Sequence, residues 1–244
     1  MLDALRHRAR RAELMDDPTQ GGPSLREALA HLRRLNRLFG AAGPTLYGVK
    51  RLWRESGQPA RLTLLDIGAG SGDVNRRLLR WAKRQGVELR IVAADITPEA
   101  CAEARAYYRD EPNVRVERAD LFKLPEKCAD IVTGTQLLHH FDDGELVEAI
   151  KRMLHAARLG VVVNDIHRHW LAWTVVWIAT RVLSRNPYIR NDGPLSVAKG
   201  FRASDWKRLS LSLCGVEMKA SWRPLFRYAV VLSESGKPSS QALL

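Results

Sequence analysis

Leu64-Leu65-Asp66-Ile67-Gly68-Ala69-Gly70-Ser71-Gly72 places three alternate glycines directly after a short apolar run. Glycine tolerates backbone conformations that other residues resist and carries no side chain, so such a loop lets a ligand come close to the main chain. Spacing narrows the ligand. The dinucleotide pattern G-x-G-x-x-G would need glycine where Asp73 stands, and a P-loop would need Gly-Lys followed by Ser or Thr. Neither is present. A loop without pyrophosphate-fitting spacing and without a phosphate-binding lysine suits a nucleoside ligand that carries no diphosphate.

The run Asp66-x-Gly68-x-Gly70-x-Gly72 resembles motif I of the class I S-adenosylmethionine-dependent methyltransferases, and over roughly Thr63 to Asp165 the later segments arrive in that family's order. The resemblance implies a role for each. Asp66, Gly68, Ala69, Gly70 and Gly72 shape the cofactor loop. Asp95, followed by Ile96, stands where the family places an acid that accepts from both ribose hydroxyls. A carboxylate suits that task, being acceptor-only against two donors. Asp120 and Leu121 occupy the place where an acid accepts from the adenine amino group and an apolar side chain packs on the ring. Thr135 and Gln136, at the end of a fourth strand, are expected beside the methionine moiety. The implied cofactor is S-adenosylmethionine, with S-adenosylhomocysteine as product.

A sulfonium makes its methyl electrophilic, so such a site mainly aligns an acceptor lone pair behind the methyl carbon and excludes water. For a hydroxyl acceptor, a neutral imidazole or a carboxylate would help remove the proton. The candidates are His139, His140 and His167, with Asp165 at the end of a fifth strand, although the Leu-His-His-Phe stretch is common in the family and a histidine there can be structural. Trp170 to Leu183 is almost wholly apolar, with Trp170, Trp173 and Trp177 on one face. It is too short to cross a bilayer and reads as a lid, an interfacial contact, a partner surface or a buried helix. Asn186 to Ser196 reads as a breaker-rich loop whose Arg190 and Asp192 could close over a polar group. Asp165, Trp170, Trp173, Arg190 and Asp192 are therefore the candidate acceptor contacts.

Around these residues the chain alternates short apolar strands with helical stretches, the signature of a parallel sheet with crossover helices. Strands are expected at Leu62 to Ile67, Leu89 to Ala94, Val114 to Arg118, Ala129 to Thr133 and Leu159 to Asn164, then an antiparallel pair at Val216 to Trp222 and Phe226 to Leu232. Helices fill Val74 to Gln85, Pro98 to Arg109, Gly144 to Ala156 and Ala203 to Ser212. Before them, Ser24 and Glu27 predict a capping box opening a helix that Gly40 stops, with a second helix around Tyr47 to Glu55. The expected fold is α/β: a Rossmann-like, seven-stranded, mostly parallel sheet with one antiparallel strand. Residues 1–58 form a helical N-terminal segment, 59–234 the methyltransferase domain with 166–202 as a lid insertion, and 235–244 a flexible tail.

Composition limits the rest. With 45% of its 244 residues hydrophobic, the chain can bury a core, which excludes a disordered tail. Three cysteines without ligand spacing suggest neither a disulfide framework nor a zinc site, and no metal is expected. The absence of an apolar run of about 18 residues predicts no transmembrane segment, and a cytoplasmic location is expected. A net charge of +12 fits a solvated basic surface, a peripheral membrane contact or anionic partners. The preferred acceptor is a small, partly apolar molecule such as a phenol, quinone, polyketide or lipid, methylated on oxygen. The alternatives are RNA or protein methylation, motivated by the charge, and cofactor binding without catalysis. Nucleic acid is disfavoured because no N-P-P-Y-type tetrapeptide follows the fourth strand; Asn186-Pro187-Tyr188 lies well beyond it.

Overall fold

A computed structural model of the chain describes residues 5–16 and 22–235. All but the first residue of the expected tail at 235–244 lies outside the described residues. After an N-terminal strap, residues 5–16, come α1 (Gly22–Leu38), α2 (Ala42–Glu55), β1 (Arg61–Ile67), α3 (Asn75–Gln85), β2 (Glu88–Asp95), α4 (Pro98–Tyr107), β3 (Val114–Arg118) and β4 (Ala129–Thr135). They are followed by α5 (Asp143–Ala156), β5 (Ala157–Ile166), α6 (Trp170–Leu183), α7 (Pro187–Lys199), α8 (Ala203–Leu211), β6 (Val216–Arg223) and β7 (Arg227–Glu234). The seven strands form one Rossmann-like sheet in the order β3-β2-β1-β4-β5-β7-β6. Neighbouring strands are parallel except β7, which runs antiparallel to both β5 and β6.

That order reverses direction between β1 and β4, so the crevice beyond their carboxyl ends is the natural ligand site of an open α/β sheet. The central strands are buried on both faces, which explains why they appear in the sequence as unbroken apolar runs rather than alternating ones. On one face α5 and α8 pack over Val161, Val163, Val230 and Leu232; on the other, α2 and α3 pack over Leu64, Ile91, Val162 and Val231. Trp53 of α2 meets Trp81 of α3 edge to face at 5.3 Å, tying the N-terminal helices to the sheet. Side chains alternate across a strand. Along β5, therefore, Asp165 points with Val161 and Val163 to the α5 face, and Asn164 points with Val162 to the α2 face.

Two expectations fail. Helix α1 begins at Gly22 and not behind a Ser24 cap; the Ser24 carbonyl and the Glu27 carboxylate instead accept from Asn186 Nδ2. A proline at the second residue of the helix is tolerated because its missing N–H falls among those without an intrahelical partner. The stretch Asn186 to Ser196 is not a loop but most of α7. Asn186 caps it by accepting from Tyr188 N, Pro187 opens its first turn, and burial of Tyr188, Ile189, Leu195 and Val197 offsets the interior Gly193 and Pro194. Helix α6 matches its expected bounds, and among the described residues no helix is long and apolar enough to cross a membrane.

Candidate active site

The loop after β1 is set from below. Asp66, buried at the end of the strand, accepts from Thr133 Oγ1 at 2.7 Å and from Asn75 Nδ2 at 2.8 Å, so it anchors the loop to β4 and α3. Burial pushes its carboxyl up to about 6, against the pull of those two donors. Gly68 and Gly72 adopt positive φ in crowded places: a Cβ there would lie 2.7 Å from Leu137 and 2.7 Å from the Tyr108 ring. Gly70 also has positive φ, but a Cβ on it would meet nothing within 4 Å. The two outer glycines satisfy packing, while the middle one faces open space.

Asp95, at the end of β2, closes the loop from the side. Its Oδ2 accepts from Gly70 N at 2.8 Å, and its Oδ1 accepts from Thr97 N and Thr97 Oγ1. A carboxylate has about four acceptor sites, so one is left for a ligand hydroxyl. Ile96 beside it is exposed although apolar, a platform for a ring, whereas Leu121 is buried in the core beneath. Asp120 caps a short 3-10 turn by accepting from Phe122 N. At the end of β4, Thr135 Oγ1 lies 2.9 Å from Thr45 Oγ1 of α2, and Gln136 takes φ of 55°, a strained conformation for a non-glycine residue. It is held there because its N–H donates to Asn164 O and its Nε2 donates to Asn36 Oδ1 of α1. These features fit a nucleoside carrying an amino-acid tail: an open glycine, an acid with spare capacity, an exposed apolar rim and a polar end wall. Asn36 and Thr45 were not expected from the sequence, and Asn36, set among arginines, carries no local signal, whereas Asn164 stands in the mostly polar stretch Asn164 to Arg168 at the end of the fifth strand.

The α5 face of the same crevice holds a chain of charges, buried at His139, Asp165, Glu13 and Lys199. His139, on the 3-10 turn after β4, places Nδ1 2.7 Å from Asp165 Oδ1 and Nε2 3.5 Å from Glu13 Oε1 of the strap. Lys199 Nζ lies 3.4 Å from Glu13 Oε1 and 3.6 Å from Asp16, and His140 Nδ1 lies 2.8 Å from Asp16 Oδ1. Burial alone would lower the His139 pKa, but the Asp165 and Glu13 carboxylates raise it to about 9. Burial likewise works against the carboxylates, yet His139 holds Asp165 below its ordinary value and takes Glu13 down to about 2. His139 is therefore an imidazolium near neutral pH with both nitrogens engaged. Glu13, His139 and His140 bring ligand atoms within 4.8 Å of one another, but the positive charge among them is already supplied by the imidazolium and Lys199.

The remaining candidates lie apart from this chain. His167 accepts from Trp222 Nε1 at 3.2 Å, and burial followed by the charges of His169, Arg202 and Arg168 lowers its pKa, which keeps it neutral. Asp192 is buried and gives its two oxygens to Leu14 N and Met15 N, so it fastens the strap. Arg190 donates to Ser184 O and Arg181 O, at and just before the end of α6. Trp173 turns inward against Ile166, Val197 and Phe226, while Trp170 and Trp177 stay exposed. A cleft of about 410 Å³ between α6, α7 and the strap is lined by Trp173, Trp177, Arg181 and Arg190.

Residues 64–160 match the protein family described as "Methyltransferase domain". Over this segment the chain is similar to a methyltransferase domain. Acetylserotonin O-methyltransferase of Mus musculus is 32% identical to it over 107 residues, covering 41% of this chain and 26% of the mouse protein. The chain thus spans about a quarter of the length of that relative. Among solved structures, human N-acetylserotonin methyltransferase in complex with SAM superposes with a TM-score of 0.63 at 16% identity, over 96% of this chain and 65% of the human one. Magnesium protoporphyrin IX methyltransferase from Synechocystis, with bound SAH, gives 0.58 at 14% identity, over 86% and 95%. At such identities these structures share the methyltransferase fold, and the matched segment holds the glycine loop, Asp95, Asp120 and Gln136 of the cradle.

Proposed function

We propose that this methyltransferase transfers the methyl group of S-adenosylmethionine to an oxygen of a small, partly apolar acceptor by in-line displacement. The observation that carries the reading is the open face of Gly70 between Asp95 and Gln136, at the one place where the sheet order reverses. When bound, the sulfonium supplies an electrophilic methyl, so little covalent chemistry falls to the protein. Asp95 takes a ribose hydroxyl, Ile96 and Asp120 receive the adenine, and Thr135 and Gln136 border the methionine end. Residues 166–202 and the strap serve as the lid that shuts out water, and the apolar surface of α6 supports an aromatic or lipid-like acceptor.

Of the three histidines, His140 has the arrangement of a base. Asp16 accepts from its Nδ1, which leaves the lone pair of the neutral ring on Nε2. His139, already protonated, positions Asp165 and the strap and does not take the acceptor proton. The mouse relative, an O-methyltransferase by name, supports oxygen as the acceptor atom. Incubation with methyl-labelled S-adenosylmethionine, a panel of phenols and bulk RNA tests the reading. Label is expected in the phenol fraction, with turnover strongly reduced in His140→Ala. Label confined to RNA or to the protein itself would contradict it.

A further inference from the structure

The first residue of β7, Arg227, lies opposite Ile166 of β5, and this register puts its side chain on the α2 face of the sheet, next to Asn164. It is buried, and among the described residues its guanidinium makes no hydrogen bond or ion pair; Nη1 is wholly enclosed without a partner. Asn164 is in the mirror situation. Its Nδ2 donates to Ala41 O and Thr45 Oγ1, but its Oδ1 is enclosed and accepts nothing. The other buried arginine provides the contrast: Arg168 spends its nitrogens on Leu5 O, Gly200 O and Asp205. Burial lowers the Arg227 pKa only to about 10, with Asp165 and Asp73 acting the other way from a distance, so the group is charged at neutral pH. A buried cation without a counter-charge is among the costliest arrangements a fold can hold, and it becomes favourable when a ligand brings the anion.

We propose that Arg227 and Asn164 form an acid-binding subsite of the acceptor pocket: the guanidinium fork takes a carboxylate of the acceptor, and Asn164 Oδ1 accepts from a neighbouring hydroxyl. This rests on the methyltransferase reading and narrows its substrate to a hydroxylated acid. A planar fork with two parallel N–H donors matches a carboxylate bidentately. The methionine tail of the cofactor is a second source of the same group, and Asn164, paired with Thr135, borders it; Arg227 itself is on β7, two strands from β4 and roughly 10 Å away, on the side away from the glycine loop.

Calorimetry on wild type, Arg227→Met and Arg227→Lys separates the sources. The titrants are S-adenosylhomocysteine, 5′-methylthioadenosine, which lacks the amino-acid tail, and, with S-adenosylhomocysteine saturating, salicylate and 4-hydroxybenzoate beside their amides. The wild type is expected to bind at least one acid about 10-fold or more tighter than its amide. Arg227→Met should lose that preference, Arg227→Lys should keep part of it, and all three should bind S-adenosylhomocysteine alike. Arg227→Met should also melt no lower than wild type, since it removes an unpaired buried charge. No preference for acids in the wild type, or a preference surviving in Arg227→Met, would overturn the subsite. Weakened S-adenosylhomocysteine with unchanged 5′-methylthioadenosine in Arg227→Met would assign the arginine to the cofactor tail and overturn it as well. A wild type that binds neither nucleoside would defeat the methyltransferase reading itself, and the subsite with it.

Discussion

The cofactor cradle and the acceptor wall share one crevice but are assembled differently. In the cradle, Asp95 reaches Gly70 across 25 positions, and Asp66 reaches Asn75 across nine. In the acceptor wall, Asp192 holds the strap across 177 and 178 positions, and His140 meets Asp16 across 124. The glycine loop is short-range backbone geometry with a few acceptors, while the polar end of the cradle at Thr135 and Gln136 is held from α2 and α1 across 90 and 100 positions. The wall is a set of largely buried charges that pairs Glu13 and Asp16 of the strap with His139, His140 and Lys199. The glycine loop and its acids can thus be read from a local motif, whereas the buried charges proposed to face the acceptor depend on contacts between distant parts of the chain.

Cutting the wall at its most buried pair should produce the largest effect. Asp165→Ala leaves the His139 imidazolium facing Glu13 alone and is expected to cost about 3–5 kcal/mol of unfolding free energy by denaturant titration. Affinity for S-adenosylhomocysteine should stay unchanged, because Asp165 faces the α5 side. A parallel loss of cofactor binding would show that cradle and wall are one cooperative unit.

The pH dependence comes next. His139 is raised from 6.5 to about 9, so its stabilisation is complete below pH 6.5 and disappears as the pH rises through 9, on the order of 3 kcal/mol. Glu13 is lowered from 4.5 to about 2, so its share is present above pH 4.5 and lost as the pH falls through 2. Asp66, raised to about 6, adds a loss between its ordinary value and 6 as the pH rises. Chemical denaturation at several pH values should therefore show stability declining from pH 6.5 to 9 in the wild type, with a much flatter alkaline limb in His139→Gln. An equal slope in both would place the raised group elsewhere.

On the cradle side, Asp95→Ala removes a charged acceptor and should weaken cofactor binding by about 1.5–3 kcal/mol in calorimetry, with acceptor binding unaffected. Unchanged affinity would move the ribose contact to another residue. The smallest change is expected on the outer face of α6: Ile178→Ser with Val182→Ser, both at exposed positions, should shift stability by no more than about 0.5 kcal/mol. If that face touches a lipid-like acceptor, turnover with apolar substrates falls while turnover with small phenols holds.

The central strands were legible because parallel strands buried on both faces leave short apolar runs between turn residues; the edge strand β3, whose residues alternate instead, also has the expected bounds, and α6 matches end to end. Asn186 to Ser196 was illegible because Gly193 and Pro194 are local breakers whose cost is offset only by distant packing partners. The tryptophans share one face by spacing, yet packing splits them, with Trp173 turned in and Trp170 out. Histidine spacing could nominate His139 and His140 but not distinguish them. What separates their roles is Glu13 and Asp16 of the strap, which nothing near the histidines in sequence announces.

The central claim is that Gly70 is left bare so that S-adenosylmethionine can lie against it. Isothermal titration of ligand-free protein with S-adenosylhomocysteine, in wild type and Gly70→Arg, tests it most directly. The account predicts saturable one-to-one binding in the wild type and none in a folded Gly70→Arg variant. Equal heats in the two proteins, or no heat in the wild type, would contradict it.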